Sequence, residues 1–299
     1  MGDGLISMVG TPAGHRWAMG LALLAAVLHA LFGALQKGRD DPWLARAAID
    51  ASYGILATPF ALFVVPWPEP WMWGILGGAF LIHAGYKVMQ AMTYDRAPYT
   101  VVYPVVRGTG PFFTAIGAGL VFGEQFATLQ WFGLLLLVGG IFGLALYNIA
   151  RVAVGETILP ALGLALITGG FVAAYTTYDA WGIRATADPF TFLAWFFMID
   201  GVFIPVVTHR KWRDLDPVRV VPLLKRGVFG AIVAYFSFGS VMLATRLDRV
   251  GEVAALRETS TMFAALIGWW VLGETVGRVQ VVLMALIASG AVVMEWAGT

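Results

Sequence analysis

Apolar residues fall along this chain in long runs, at about 17–35, 45–65, 71–92, 98–121, 129–148, 158–178, 190–208, 227–245, 251–272 and 280–296. Runs of roughly 17 to 25 apolar residues match the length of a helix that crosses a bilayer, so the pattern predicts ten transmembrane helices. The separators carry breakers and charges: Lys37 to Pro42, Pro66 to Pro70, Asp95 to Pro98, Gly123-Glu124, Arg151 to Glu156, Asp188-Pro189, His209 to Pro222, Asp248 to Gly251 and Gly273-Glu274. Trp67, Trp71, Trp73, Trp131, Trp269, Trp270 and Trp296 fall near predicted span ends, where indole rings favour the headgroup layer.

The pattern repeats. Sliding the chain by 150 residues lays Arg107 to Glu124 over Arg257 to Glu274, with seven of 18 positions identical: Arg107, Thr109, Phe113, Ala115, Val121, Gly123 and Glu124. Gln130 then meets Gln280, and Gly140 meets Gly290. The expected fold is an all-α polytopic membrane protein of two five-helix repeats, 1–150 and 151–299. Five helices is an odd number, so the second repeat enters the membrane from the opposite side and the repeats are inverted.

Composition agrees with a lipid setting. Of 299 residues, 59% are hydrophobic and 12% charged, and the mean hydropathy is +0.78. The first 20 residues lack a basic region followed by a cleavable apolar core, so no signal peptide is expected there. With no cysteine there is no thiolate site, and the four histidines form no HExxH-type cluster, so neither a metal nor a cofactor is expected. Of the 19 lysines and arginines, twelve assign to one side of the membrane, four to the other, and Lys87, Arg107 and Arg257 lie within spans. The positive-inside rule makes the twelve-residue side cytoplasmic and puts both termini outside.

Ten spans in two halves, Gly-Glu closing the fourth helix of each (Gly123-Glu124, Gly273-Glu274), the following Gln, and Pro111 together resemble the drug/metabolite transporter superfamily, in particular its EamA-type two-repeat members. Thr261 stands where a second Pro111 would fall, so a kink in both halves is not expected. The resemblance covers nearly the whole chain. It implies alternating-access transport of small solutes, often export of amino acids, in a bacterial-type inner membrane. Relatives commonly keep both termini in the cytoplasm, against the charge count.

Polar residues inside spans carry the candidate chemistry, because each is costly there and tends to face the bundle interior. Arg107 and Arg257 stand at matching places. Guanidinium forks suit carboxylate or phosphate oxygens, so the pair reads as ligands for an anionic or zwitterionic solute. The alternative is structural, with each arginine held by Glu258, Asp200 or Glu252. On the third helix His83, Tyr86, Lys87, Gln90 and Tyr94 share one face and read as cavity lining, or as long side chains reaching the interface. Tyr99 and Tyr103 precede Arg107 on its own face. Tyr175 and Asp179 share a face of the sixth helix. Asp200 and Glu258 are candidate proton carriers, although neighbours such as Arg257 and Glu258 point about 100 degrees apart on a helix. Glu124 and Glu274 read as helix caps or partners of basic loops.

The favoured function is a secondary transporter, in the direction of export, for a small anionic or zwitterionic metabolite. A lipid-headgroup flippase is the alternative, and it requires a lateral opening to the bilayer. An enzyme is not expected, since neither paired catalytic aspartates nor a Ser-His arrangement is present. No GxxxxGK[ST] loop offers ATP drive. The expected partners are a small solute and membrane lipids, with no nucleic acid, and the chain is expected to be a monomer or weak homodimer.

Overall fold

The computed structural model describes residues 2–36, 41–97, 99–150, 158–270 and 277–298, without the side chains of 3, 33–36, 99, 100, 268 and 269. The described residues form helices joined by turns, with no strand among them. In order these are α1 (Asp3–Ile6), α2 (Pro12–Gln36), α3 (Pro42–Phe63), α4 (Met72–Tyr94), α5 (Tyr99–Phe122), α6 (Thr128–Ile149), α7 (Ile158–Ala185), α8 (Pro189–Asp200), α9 (Phe203–Val207), α10 (His209–Arg213), α11 (Pro217–Leu247), α12 (Val250–Arg257), α13 (Ser260–Trp270) and α14 (Arg278–Trp296).

Among the described residues, seven stretches are long and apolar enough to cross a membrane: α2, α5, α6, α7, α8 with α9, α11 and α14. The other three expected spans are also helical, and each carries buried charge. Helix α3 holds Asp50, α4 holds His83 and Lys87, and α12 holds Glu252 and Arg257. Their polarity is turned inward, which lowers their apolar content without exposing charge to lipid.

Caps set several boundaries that apolar runs alone misplace. The eighth helix, expected from 227, begins at Pro217, because the Asp216 side chain accepts from the Val218 N–H at 3.0 Å and proline suits the first helical turn. At the end of α5, Gly123 adopts φ +67°. Its N–H reaches the Gly119 carbonyl at 3.1 Å, the single bond of an αL helix ending that requires a residue tolerant of positive φ, and the Glu124 N–H reaches the Ala118 carbonyl at 3.3 Å.

Helix α5 stays helical through Pro104 and Pro111, whereas the span expected at 251–272 divides after Arg257 with no proline present. Here Glu258 and Thr259 donate backbone N–H groups to Ala255 and Leu256, three residues back. The Thr259 and Thr261 hydroxyls donate to the carbonyls of Leu256 and Glu258, at 2.7 and 2.9 Å. The hydroxyls thus add second hydrogen bonds to carbonyls that already accept from a backbone N–H three residues on, reinforcing the tighter turn at the interruption.

Packing relates the halves in pairs. Helix α2 packs on α11 and α13, and its counterpart α7 packs on α4 and α5. Helices α3 and α8, α6 and α14, and α5 and α12 meet as equivalent partners. The main core joins residues such as Tyr53 and Leu76 to Phe192, Phe196 and Met242, so neither half has a core of its own. Between α6 and α14 the backbones are close: a Cβ at Gly290 would lie 2.6 Å from the Gly133 carbonyl oxygen. Small residues permit that approach, which drives helix association in lipid.

Candidate substrate site

At the break between α12 and α13 Glu258 is fully buried inside the bundle. Its Oε2 lies 2.7 Å from Arg107 Nε on α5, and its Oε1 lies 3.4 Å from an Arg257 terminal nitrogen. Arg107 also donates to Ser260 Oγ at 3.2 Å and stands 5.9 Å from the Tyr103 ring centroid. The two arginines therefore converge on one carboxylate, which leaves one surplus positive charge. Neither Arg107 Nε nor Arg257 Nε has an aligned hydrogen bond, so the 2.7 Å contact is an ion pair without good directionality. Adjacent residues diverge along a regular helix, and the interruption lets Arg257 and Glu258 meet.

A second charged group lies between α3, α4 and α8. Lys87 Nζ is 2.7 Å from Asp50 and 2.9 Å from Asp200, and it donates to the Tyr53 hydroxyl at 3.0 Å. Tyr53 donates a short hydrogen bond to Asp200. Lys87 also donates to the Asp200 backbone carbonyl at 2.9 Å, where α8 ends and leaves carbonyls without helical partners. Arg46 Nε completes the group, 2.7 Å from Asp50. Lys87 is buried, so the reading in which it reaches the membrane interface is overturned. The physical reason is the pair of carboxylates facing it, which hold the ammonium more strongly than an open helix end would.

The remaining stripe residues divide. His83 Nε2 is 2.8 Å from Asp179 on α7, with the rings of Tyr175 and Phe196 at 4.6 and 4.8 Å. Gln90 donates to the Tyr86 hydroxyl at 2.6 Å and lies 3.5 Å from the Tyr94 hydroxyl. The Tyr99 side chain lies outside the described residues, as do Gly273 and Glu274. Of the expected proton carriers, Asp200 is held by Lys87 and Glu258 by the two arginines.

Between these groups runs a narrow cavity bordered by Arg46, Tyr53, His83, Phe197, Asp200 and Phe238. Its volume of about 10 Å³ holds roughly one water molecule. A separate, wider groove of about 450 Å³ opens on the side of the bundle, between Ile82 of α4, Phe113 and Gly117 of α5, and Thr177 and Trp181 of α7.

One end of the bundle is closed by a network that the sequence did not indicate. Glu124 accepts the N–H groups of Val250 and Gly251 at 2.7 and 3.1 Å and so caps α12, a helix of the other half, rather than the helix that follows it in sequence. Arg184 lies 3.6 Å from Glu124. His15 contacts Asp248 at 2.5 Å and Glu295 at 3.1 Å. The His15, Asp248 and Glu252 donor atoms lie within 4.8 Å of one another, close enough to share a metal ion, although each is already engaged by protein partners. Arg46, Asp50 and Tyr53 were also missed as site residues. Asp50 lay within a predicted span, and its i, i+4 spacing from Arg46 was the available signal.

Stacked apolar helices around buried, paired charges define a polytopic membrane protein with a polar interior. The EamA-like transporter family matches residues 16–146 and 159–296, and this chain belongs to that family, within the drug/metabolite transporters. A WAT1-related chloroplastic protein of Arabidopsis thaliana is 26% identical over 190 residues, 60% of this chain and 44% of that protein. The chain thus spans less than half of that relative. The probable 4-amino-4-deoxy-L-arabinose-phosphoundecaprenol flippase subunit ArnE of Pseudomonas fluorescens is 32% identical over 121 residues, 40% of this chain and 90% of the subunit. A solved crystal structure superposes with a TM-score of 0.71 over 94% of this chain and 98% of its own, at 15% identity, and shares the fold.

Proposed function

We propose that this chain is a secondary transporter that exports a small anionic or zwitterionic metabolite, such as an amino acid, by alternating access. In this reading ten crossings form two inverted five-helix repeats, 1–150 and 151–299, in a bacterial-type inner membrane, and a monomer or weak homodimer is the working unit. The observation that carries it is the convergence of Arg107 and Arg257 on Glu258, beside a helix break inside the bundle. Interrupted helices at mid-membrane are where transporters of this kind hold their solutes. An incoming carboxylate or phosphate would take up the guanidinium capacity that Glu258 leaves poorly used. Tyr103 adds an aromatic wall, and the His83 to Gln90 face supplies further polar lining. The narrow cavity corresponds to a closed stage of the cycle.

Purified protein in liposomes, supplied with a panel of amino acids, carboxylates and phosphorylated metabolites, should exchange at least one of them. Arg107→Ala should weaken its binding about tenfold or more, the equivalent of 1.4 kcal/mol.

A lipid-headgroup flippase is the second reading, favoured by the lateral groove between α4, α5 and α7 and by the likeness to a flippase subunit. Equilibration of a fluorescent lipid analogue between leaflets, with no exchange of any soluble solute, would replace the first reading with this one.

A further inference from the structure

Five carboxylates are buried among the described residues: Asp50, Asp179, Asp200, Glu252 and Glu258. Four are held by arginine or lysine: Asp50 by Arg46 and Lys87, Asp200 by Lys87, Glu252 by Arg249, and Glu258 by Arg107 and Arg257. Asp179 is different. Its ion-pair partner is His83, and its Oδ1, like that of Asp200, has no hydrogen-bond partner in the protein. Guanidinium and paired ammonium groups keep their protons through the physiological range, whereas imidazole changes charge within it.

We propose that His83 and Asp179 form the proton-binding site of this transporter, holding one proton while the adjacent cavity is closed and releasing it when the cavity opens to water. The proposal rests on the transporter reading above and supplies its coupling ion.

The location supports it. His83 is on α4 and Asp179 on α7, so the pair joins the two halves, and His83 borders the central cavity. With one proton present the pair is an imidazolium and a carboxylate, neutral overall. Loss of that proton leaves a net negative charge on a buried carboxylate whose Oδ1 has no hydrogen bond, a state that burial strongly disfavours. Water entering an opened cavity supplies the missing hydrogen bonds and accepts the proton from the His83 ring. Neutral imidazole and an ionised Asp179 remain, and recapture restores the pair.

Charges on the surrounding helices bear on the same site. Asp200 on α8 and Arg257 on α12 act on Asp179 through space with opposite signs. Arg46 and Tyr53 of α3 border the same cavity, Lys87 stands one turn along α4, and α11 contributes the uncharged Phe238. Arg46 and Lys87 are already matched by Asp50 and Asp200, and Arg257 lies against Glu258, so none of them contacts Asp179 in place of the proton.

The chain has four histidines, few enough to follow one at a time by nitrogen NMR of protein labelled with 15N at histidine. His83→Gln assigns the signal. In the wild type the His83 ring should be seen to carry the proton shared with Asp179, and Asp179→Asn, which removes the paired carboxylate, should change its protonation behaviour. A ring that stays neutral throughout, or one indifferent to Asp179→Asn, overturns the site. In liposomes loaded with a pH-sensitive dye, a proton should accompany each exchanged solute in the wild type and none in Asp179→Asn. An unchanged proton-to-solute ratio overturns the coupling. If no solute in the panel moves, it is the transporter reading that fails, and the NMR titration still decides the proton site. A histidine-to-asparagine variant at His83 provides a second assignment where the glutamine variant does not fold.

Discussion

Arg107 Nε lies 2.7 Å from Glu258 Oε2, an ion pair that ties α5 to the interruption between α12 and α13. The same carboxylate is the acidic partner of Arg257 among the described residues, so one buried anion holds two buried cations. That asymmetry ranks the effects of substitution.

Glu258→Gln should destabilise the fold more than Arg107→Gln does. The first leaves two arginines without a carboxylate, and the second leaves Glu258 still paired with Arg257. Breaking a buried pair costs about 3 to 5 kcal/mol, so the difference is large enough to read from thermal unfolding in detergent. Equal losses would show that Arg257 takes no part in the pairing.

Lys87→Met should lower stability by a comparable amount, about 3 to 5 kcal/mol, because Asp200 then keeps only Tyr53 while Asp50 keeps Arg46. Adding Asp200→Asn should restore much of the loss, since the uncompensated charge is gone. A double variant as unstable as the sum of both singles would contradict the coupling.

Gly290→Leu should separate α6 from α14. Even a methyl at this position would lie 2.6 Å from the Gly133 carbonyl oxygen, and backbone cannot yield as a side chain does. Overpacking of this kind costs about 1 to 3 kcal/mol. A distance probe between cysteines introduced at the two helix ends should widen along with the loss of stability.

Lys211→Ala should matter little. Lys211 Nζ contacts Asp41 at 2.6 Å, but both side chains are substantially exposed, and such pairs contribute at most about 1 kcal/mol. Partial burial pushes the Asp41 carboxyl up, but the hydrogen bond from Lys211 and the Trp43 N–H outweigh it and hold the carboxyl below its usual range. Its small stabilising effect is therefore present above the ordinary carboxyl range and lost as pH falls through the lowered value. Stability differences between Lys211→Ala and wild type should accordingly shrink in strong acid. A difference that grows as pH falls would reverse that sign.

Much of the helical layout was legible because apolar run length is a local property of sequence. Arg107 and Arg257 were legible too, since an arginine within such a run is conspicuous. The meeting of Lys87 with Asp50 and Asp200 was not, because it joins residues 37 and 113 positions apart in sequence and depends on how α3, α4 and α8 pack. The same holds for His83 and Asp179, which a helical wheel places on separate faces of separate helices and cannot pair.

By itself the sequence determined a lipid-embedded helical chain, the Arg107 to Glu124 repeat and a stock of intramembrane polar residues, because hydropathy and internal similarity need no third dimension. Only the tertiary structure decided the partners. It placed one carboxylate between two arginines, set Glu124 on the first turn of α12, and left Asp179 with a histidine rather than a permanent cation. Ion pairing falls off over a few ångströms, so what a buried charge does depends on which helices pack against it, and the sequence does not state those distances.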